Sequence, residues 1–309
     1  MVVIDEKITI GGVTWTHLVD PSPTDVEPLI EKYNLHEIIE QDFLDFTTQD
    51  KMDVYDDCIF VVMRFPKYNE KTEKYFANTV QAILGKDFII TVTSNVTNNI
   101  QKIQDIYREE LEQDSSDKFK FSPYYILYKI IDAMYDKAIA GLAKFSQDLI
   151  KIENFALDMD AIDEKLLSLL LIKKRSAILM KQIVLPHSEI LIELQQATVN
   201  FYEGDLDVYF EDLQYKTDKI LSLISIIKEN TESLFDVSDT LTQMKSNKVI
   251  SVLTIFTVIF GVWTWMSGMY GMNVDLPFQE QSWAFWGISF LLILVALFTI
   301  WYFRFKRWF

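Results

Sequence analysis

Polar and small side chains recur along an apolar stretch near the C-terminus, at a spacing that places them on one helix face. With Ile250 as its one large apolar member, the series advances by alternating steps of three and four residues: Asn247, Ile250, Thr254, Thr257, Gly261, Thr264 and Gly268. This heptad repeat keeps its members on one side of an α-helix. The positions between them are mostly large and apolar. Amide and hydroxyl oxygens on one face of an otherwise apolar helix are suited to lining a water-filled path for an ion.

A second interpretation of this polar seam is close helix packing, because small residues on one face of a membrane helix commonly serve that purpose. The residues before the apolar stretch favour the pore. Steps of seven before Asn247 and Ile250 give Thr240, Ser233, Ile226, Lys219, Asp212, Gln243, Asp236 and Glu229. A dry packing seam would turn to leucine there, whereas this face stays polar. Since one lining helix cannot enclose a pore, we expect a cyclic homo-oligomer.

Two apolar runs set the membrane topology. Val249 to Met269 and Trp283 to Phe303 contain no charged residue, and each has about the 20 residues that cross a bilayer as a helix. Trp and Tyr side chains stand at both ends of the second run, as membrane interfaces favour. The second run carries no polar stripe, which is typical of an outer, lipid-facing helix.

The charges beside the two spans predict their orientation. Basic residues precede the first span and follow the second: Lys245, Lys248, Arg304, Lys306 and Arg307. The loop of residues 270–282 has no Lys or Arg and carries Asp275 and Glu280, which we expect to attract cations. The positive-inside bias therefore places both termini in the cytosol and the loop outside, in the cell (inner) membrane.

The remaining chain divides by its pattern. Residues 1–95 predict a cytosolic α/β domain, with a helix over Thr24–Tyr33 capped by Ser22 or Thr24 and a buried strand over Cys58–Phe65 that ends at Pro66. Residues 96–204 predict a cytosolic helical region. Residues 205–269 predict one stalk helix continuing into the first span at about 249–269; the alternative is two helices with a break near Ser246. The loop 270–282, the second span 283–303 and a basic tail 304–309 follow.

Composition excludes several function classes. The formal net charge of −16 over 309 residues argues against a nucleic-acid partner. One cysteine, Cys58, and three histidines far apart in sequence form no disulfide framework and no metal-ligand motif. No phosphate-binding glycine loop and no nucleophile motif is present, so we do not expect an enzyme.

The first span ends in Tyr270-Gly271-Met272-Asn273, and this motif at this position resembles the CorA magnesium transporter family. The likeness extends over most of the chain. Asn247 to Thr254 resembles the family's pore entrance, with Ile250 in place of methionine. Ile131-Asp132-Ala133 with Asp136 resembles one of its helices, and Tyr209-Phe210-Glu211-Asp212 resembles its stalk.

The resemblance implies a homopentameric channel for passive Mg²⁺ influx, with an α/β cytosolic domain, a long-helix funnel and two C-terminal membrane helices. Gly271, Met272 and Asn273 would form the selectivity ring. Pore or gate positions would be Asn247, Ile250, Leu253, Thr264 and Gly268. Asp212 would bind regulatory Mg²⁺ between subunits. The family often has a proline where this chain has Val262.

The metal and the class of protein have alternatives. Mg²⁺ is the predicted cargo and regulator, because zinc-carrying relatives usually replace the methionine that is Met272 here; Co²⁺ and Ni²⁺ are further candidates. A zinc, cobalt or nickel transporter of the same superfamily is the first alternative. A membrane-anchored scaffold that conducts no ion is the second. The partners expected are further copies of the chain, membrane lipid and divalent cations.

Overall fold

The computed structural model describes residues 6–10, 12–69, 74–94, 98–112, 122–158, 164–202, 205–273, 281 and 283–306. Its N-terminal part contains one six-stranded sheet. The strands are β1 Glu6–Ile10, β2 Val13–Val19, β3 Lys51–Val54, β4 Ile59–Asn69, β5 Lys74–Leu84 and β6 Phe88–Thr93. Their order in the sheet is β1-β2-β6-β5-β4-β3. Only the pairing of β2 with β6 is parallel; the other four pairings are antiparallel.

Eight helices accompany the sheet in the described part of the chain. They are α1 Pro23–Tyr33, α2 Glu37–Leu44, α3 Asn98–Glu112, α4 Pro123–Asp158, α5 Glu164–Val184, α6 His187–Phe201, α7 Asp207–Tyr270 and α8 Ala284–Phe305. The chain divides into two compact units, the first formed by residues 1–154 and 168–233 and the second by 155–167 and 234–309. The first unit holds the sheet.

The turns of the sheet follow local chemistry. The backbone N–H of Ser22 donates to Asp25 Oδ2 at 2.8 Å, which caps α1 and confirms Ser22 as the cap residue. Strands β5 and β6 form the predicted hairpin around residues 85–87, with Leu84 opposite Ile89. Gly85 is required there, since a Cβ at this position would overlap the ring of Phe88.

The prediction that β4 ends at Pro66 was wrong. Strand β4 continues to Asn69, and Pro66 lies opposite Ala77 of β5. The other neighbour, β3, pairs only with Ile59–Val62. At Pro66 the strand is therefore an edge, where a residue without an N–H is tolerated.

The sheet is covered on both faces. Helices α1 and α2 pack on one face, where Val26, Ile39 and Phe43 join the side chains of Phe60 and other strand residues in a buried cluster. On the other face, Trp15 contacts Tyr107 of α3 with ring centroids 6.0 Å apart, and Phe65 contacts Tyr135 of α4 at 5.7 Å. Successive side chains of a strand point to opposite faces of the sheet, so each strand contributes side chains to both of these packed faces.

A buried polar network joins β4 to α4 and α6. The Asp50 carboxylate, fully buried, accepts from the backbone N–H and the Nε–H of Arg64, both at 2.6 Å. His187 Nε2 lies 3.0 Å from the Arg64 carbonyl and 3.3 Å from Asp50 Oδ1. Tyr135 Oη lies 3.0 Å from His187 Nδ1. These bonds hold the pKa of Asp50 below its usual value although burial opposes this.

Among the described residues, two helices are long and apolar enough to cross a membrane, α7 through its C-terminal part and α8 over Phe285–Phe305. In the most apolar 18-residue window of each helix, 6% and 0% of the residues are buried, so these two segments are not part of a buried core. The predicted fold class, an α/β domain with a long helix and two C-terminal apolar helices, is confirmed.

Candidate functional site

Helix α7 carries the predicted polar seam and is unbroken over its 64 residues, with no interruption near Ser246. It contains no proline, and its first glycine is Gly261. At ~1.5 Å per residue the helix is roughly 95 Å long. Uninterrupted i to i−4 hydrogen bonding therefore fixes the register of every seam residue along the helix.

The N-terminal part of α7 buries one face within the first unit. The buried residues repeat at steps of three and four: Phe210, Leu213, Thr217, Ile220, Ile224, Ile227 and Thr231. The two threonine hydroxyls donate to the carbonyls of Leu213 and Ile227, at 2.9 and 2.7 Å, so their burial leaves no unpaired hydroxyl. The face opposite this stripe remains free of the unit's own core.

The seam residues, which belong to the second unit, are accessible. Asn247, Thr257, Gly261, Thr264 and Gly268 are exposed, and Thr254 is half-exposed. The predicted gate residues Ile250 and Leu253 are 58% and 64% exposed. The seven-residue continuation is exposed as well, from Lys219 through Ile226 and Ser233 to Thr240, with Asp212 half-exposed at its start.

Two seam hydroxyls have a defined orientation. Thr254 Oγ1 donates to the Ile250 carbonyl and Thr257 Oγ1 to the Leu253 carbonyl, each at 2.8 Å. Because each hydroxyl proton is used within the helix, the oxygen lone pairs are presented outward as acceptors. An array of acceptors suits a cation or the water molecules bound to it. At Gly261 and Gly268 a Cβ would meet no atom within 4 Å, so the helix surface there is open.

The helix ends at the predicted filter. The Gly271 N–H donates to the Ser267 carbonyl at 3.0 Å, and the Met272 N–H donates to the Met269 carbonyl at 3.2 Å. A Cβ at Gly271 would lie 3.3 Å from the Ser267 oxygen, a close contact that glycine avoids. Met272 and Asn273 are exposed. Asp275 and Glu280, the predicted cation-attracting residues, lie outside the described residues.

Helices α7 and α8 contact each other within the second unit. Trp263 Nε1 donates to the Leu292 carbonyl at 3.4 Å. At ~100° per residue, Trp263 lies about 150° around the helix from the mean direction of the seam. The seam is consequently on the side of α7 that turns away from α8.

Asp212 lies beside a charged cluster between α4 and α7. Tyr128 Oη donates to Asp212 Oδ2 at 3.2 Å, and Lys216 forms ion pairs with Asp132 and with Asp136, the latter at 2.7 Å. Burial raises the pKa of the Tyr128 hydroxyl, and the charges of Asp132 and Asp212 raise it further. No group of three or more His, Cys, Asp or Glu side chains that could hold a metal occurs among the described residues. Within one chain, then, Asp212 has no metal site around it in the described part of the structure.

Sequence reasoning missed Lys216 as the partner of Asp132 and Asp136. The two aspartates are four residues apart, and Lys216 stands four residues after Asp212. This spacing places each pair on one helix face, and it was the feature of the sequence that could have indicated two charged helix faces. The contact between Lys216 and these aspartates joins residues 80 and 84 positions apart in sequence, so it depends on the tertiary fold.

Comparison with known proteins identifies the family of the chain. A model described as "CorA-like Mg2+ transporter protein" matches residues 11–307. The chain belongs to the CorA-like Mg²⁺ transporter family. It is 24% identical over 300 residues to the "Cobalt/magnesium transport protein CorA" of Thermotoga maritima, covering 96% of this chain and 83% of that one. The corresponding protein of Methanocaldococcus jannaschii is 20% identical, covering 95% of this chain and 90% of the relative.

Solved structures support the same fold. "The complete structure of CorA magnesium transporter from Methanocaldococcus jannaschii" matches with a TM-score of 0.83 and 19% identity, covering 96% of this chain and 92% of that one. The "structure of the full-length CmaX protein" matches with a TM-score of 0.74 and 18% identity, covering 96% and 89%. The long helix and the two apolar helices of this chain are thus features of the CorA fold.

Proposed function

We propose that this chain is the subunit of a homopentameric channel that carries Mg²⁺ passively into the cell, a specific form of the divalent cation transport typical of its family. The observation that carries the proposal is the seam of α7, whose acceptor side chains face away from the chain's own core and lead to Gly271-Met272-Asn273. Several copies around an axis would turn these seams toward one another and enclose a path.

Selection would occur at a ring of Gly271, Met272 and Asn273. Mg²⁺ holds its water molecules tightly and demands octahedral geometry, so stripping the ion inside a pore is unfavourable. An asparagine amide oxygen can accept hydrogen bonds from water bound to the ion. No carboxylate stands on the seam between Asn247 and Gly268, so no such group would bind the bare ion too tightly to release it.

Closure would occur near Ile250 and Leu253. These apolar side chains are exposed in one chain, and rings of them can stop conduction by dewetting. Thr254, Thr257, Gly261, Thr264 and Gly268 would line the wider path beyond, with Asn247 at its entrance.

Regulation would come from Mg²⁺ bound between subunits. The chain carries a net charge of −16, and copies around an axis would bring like charges together. Cations that bridge the interfaces would stabilise a closed, symmetric state, and their loss would loosen it. Asp212 is the candidate ligand, because Tyr128 occupies only one of its acceptor positions and a neighbouring subunit can supply further ligands.

The proposed topology puts residues 1–95, 96–204 and 304–309 in the cytosol. In this assignment 205–269 is the stalk and pore helix, 270–282 the outer loop, in which Asp275 and Glu280 attract cations, and 283–303 the lipid-facing span of the cell (inner) membrane. A protease added outside intact cells should therefore spare both termini, and cleavage of an N-terminal tag would overturn the orientation.

Metal flux into liposomes containing the purified protein tests the function. An internal Mg²⁺-sensitive dye should report influx down a gradient, with Co²⁺, Ni²⁺ and Zn²⁺ measured separately in matched vesicles. Mg²⁺ influx, with or without Co²⁺ and Ni²⁺, supports the proposal. Flux of Zn²⁺ alone would identify a zinc carrier, and absence of flux of any metal from assembled protein would favour a non-conducting scaffold.

A further inference from the structure

A cavity of about 450 Å³ lies between the β4–β5 hairpin and α4, within the first unit. Three lysines stand at its wall, Lys67 from β4 and Lys137 and Lys144 from α4. Two tyrosines of the hairpin, Tyr68 and Tyr75, also line the cavity, and their ring centroids are 5.1 Å apart. The volume falls in the range of small-molecule sites.

The three lysines concentrate positive charge in a chain whose net charge is −16. In the part of the chain that the structure describes, none of the three forms an ion pair with a carboxylate. Burial lowers the pKa of Lys67, and the like charge of Lys137 lowers it further. The nearby carboxylate of Asp148 is engaged by Lys151 at 3.1 Å and Lys173 at 3.6 Å. An anion would relieve the repulsion between Lys67 and Lys137.

The aromatic wall is fixed in place. Tyr75 Oη donates to the Gly141 carbonyl at 3.1 Å, which ties the hairpin to α4, and its ring packs on Phe145. The ammonium of Lys144 lies 5.6 Å from the ring centroid of Tyr68. A planar ring that enters the cavity would therefore meet a positioned aromatic surface next to the charges.

A buried amide provides an independent sign of an occupant. Asn78 is 3% exposed, and its Oδ1 has no hydrogen-bond partner among the described residues. It lines a small adjoining space of about 20 Å³ together with Lys67 and Lys137. Such a space holds one water molecule or one hydroxyl group, and a donor there would satisfy the amide oxygen.

We propose that this cavity binds a nucleoside phosphate. The phosphate would lie against Lys67, Lys137 and Lys144, whose ammonium groups bind phosphate as point charges. The base would stack on Tyr68, and a ligand hydroxyl or a bridging water would donate to Asn78 Oδ1. Charge alone would admit any small anion; the aromatic wall beside the lysines is what favours a ligand that also carries a ring.

Calorimetric titration of the full-length protein in detergent, with divalent cations removed, tests the proposal. The probes are AMP, adenosine and inorganic phosphate; AMP is chosen because a monophosphate chelates Mg²⁺ weakly. AMP should bind saturably and at least about tenfold more tightly than either part alone, since base stacking and phosphate contacts add. Absence of saturable AMP binding up to millimolar concentration, or phosphate binding as tight as AMP binding, would overturn the proposal.

Variants assign the binding to the cavity. The double change Lys67→Gln and Lys137→Gln should weaken AMP at least about tenfold, and Lys144→Gln alone should weaken it several-fold. Tyr68→Ala should reduce AMP affinity to that of phosphate. The matched control is Lys129→Gln, because Lys129 also lies on α4 over tyrosine rings but outside the cavity. Melting curves identify any variant that fails to fold, and unchanged AMP binding in folded lysine variants refutes the site.

Discussion

The two parts of α7 share one helical geometry and have opposite surroundings. From Phe210 to Thr231 every third or fourth residue is buried by the rest of the first unit. From Asn247 to Tyr270, a range that is described throughout, only Ile255 is buried. The first part is thus stabilised by its own chain. The second leaves apolar and polar faces exposed together, as the proposed pore helix requires.

The strongest test of this difference is Asn273→Ala at the end of the second part. We expect Mg²⁺ flux to be abolished and assembly to be unchanged, because the amide is an exposed acceptor and supports no core. Flux into liposomes and size-exclusion elution are the measurements. Asn200→Ala, which changes an exposed asparagine of α6, is the control and should conduct normally. Normal flux from assembled Asn273→Ala protein would remove the filter assignment.

A matched pair of isoleucines sharpens the comparison within the first part. Ile220 is fully buried and Ile226 is 49% exposed on the same helix. Ile220→Ala should destabilise the protein by about 2–5 kcal/mol through lost burial and a cavity, which lowers the melting temperature by roughly 5–15 °C. Ile226→Ala should change unfolding of the chain by less than about 0.5 kcal/mol. Equal effects of the two changes would show that the seam also belongs to the core.

The first unit should also carry an acid sensitivity that the apolar spans lack. Burial lowers the pKa of His17 to about 4, outweighing the opposing hydrogen bond to the Thr91 carbonyl. The unfolded chain, with a histidine pKa near 6.5, therefore binds a proton first as pH falls, and stability decreases between about pH 6.5 and 4, by up to about 3 kcal/mol.

Melting temperature against pH measures this effect. His17→Gln should flatten the profile in that window. Asp50 affects stability only at pH values below this window. Its carboxyl pKa is lowered in the folded state, so its stabilising effect is lost only as pH falls below about 4. A profile unchanged by His17→Gln would assign the acid sensitivity to other groups.

The gate prediction concerns the exposed apolar residues of the second part. Ile250→Ser and Leu253→Ser should each raise Mg²⁺ flux several-fold at high internal Mg²⁺, because a polar ring no longer dewets. Val252→Ser, at an exposed position on the side of the same helix opposite the seam, serves as control. The flux is measured in liposomes loaded with millimolar Mg²⁺. If both variants stay as tightly closed as the wild type, the gate lies elsewhere on the helix.

The smallest expected effect is at Asp212. Millimolar Mg²⁺ should protect the wild type from protease, and Asp212→Ala should need a few-fold more Mg²⁺ for the same protection. Asp218→Ala, at an exposed carboxylate on the same helix, is the control. Absence of protection in the wild type contradicts Mg²⁺ feedback itself, whereas an unchanged requirement in Asp212→Ala contradicts only the choice of residue.

Features that depend on local periodicity could be predicted from the residues alone. The seam from Asn247 to Gly268, the two charge-free spans, the Ser22 cap and the β5–β6 hairpin all follow from spacing within a few turns or residues. The uninterrupted α7 follows from the absence of proline. Strand β4 was predicted too short because the tolerance of Pro66 depends on how far β3 extends, which no pattern within β4 encodes.

Contacts between groups that are distant in sequence could not be predicted and are seen in the folded chain. Lys216 reaches Asp132 across 84 residues, and His187 reaches the Arg64 carbonyl across 123. The lysines of the cavity come from a strand and a helix about 70 residues apart, and Asn78 Oδ1 is buried beside them without a partner among the described residues. Local spacing fixes the face of an element on which a residue lies. Which two faces are packed together is set by the burial of the whole core, and therefore appears only in the folded chain.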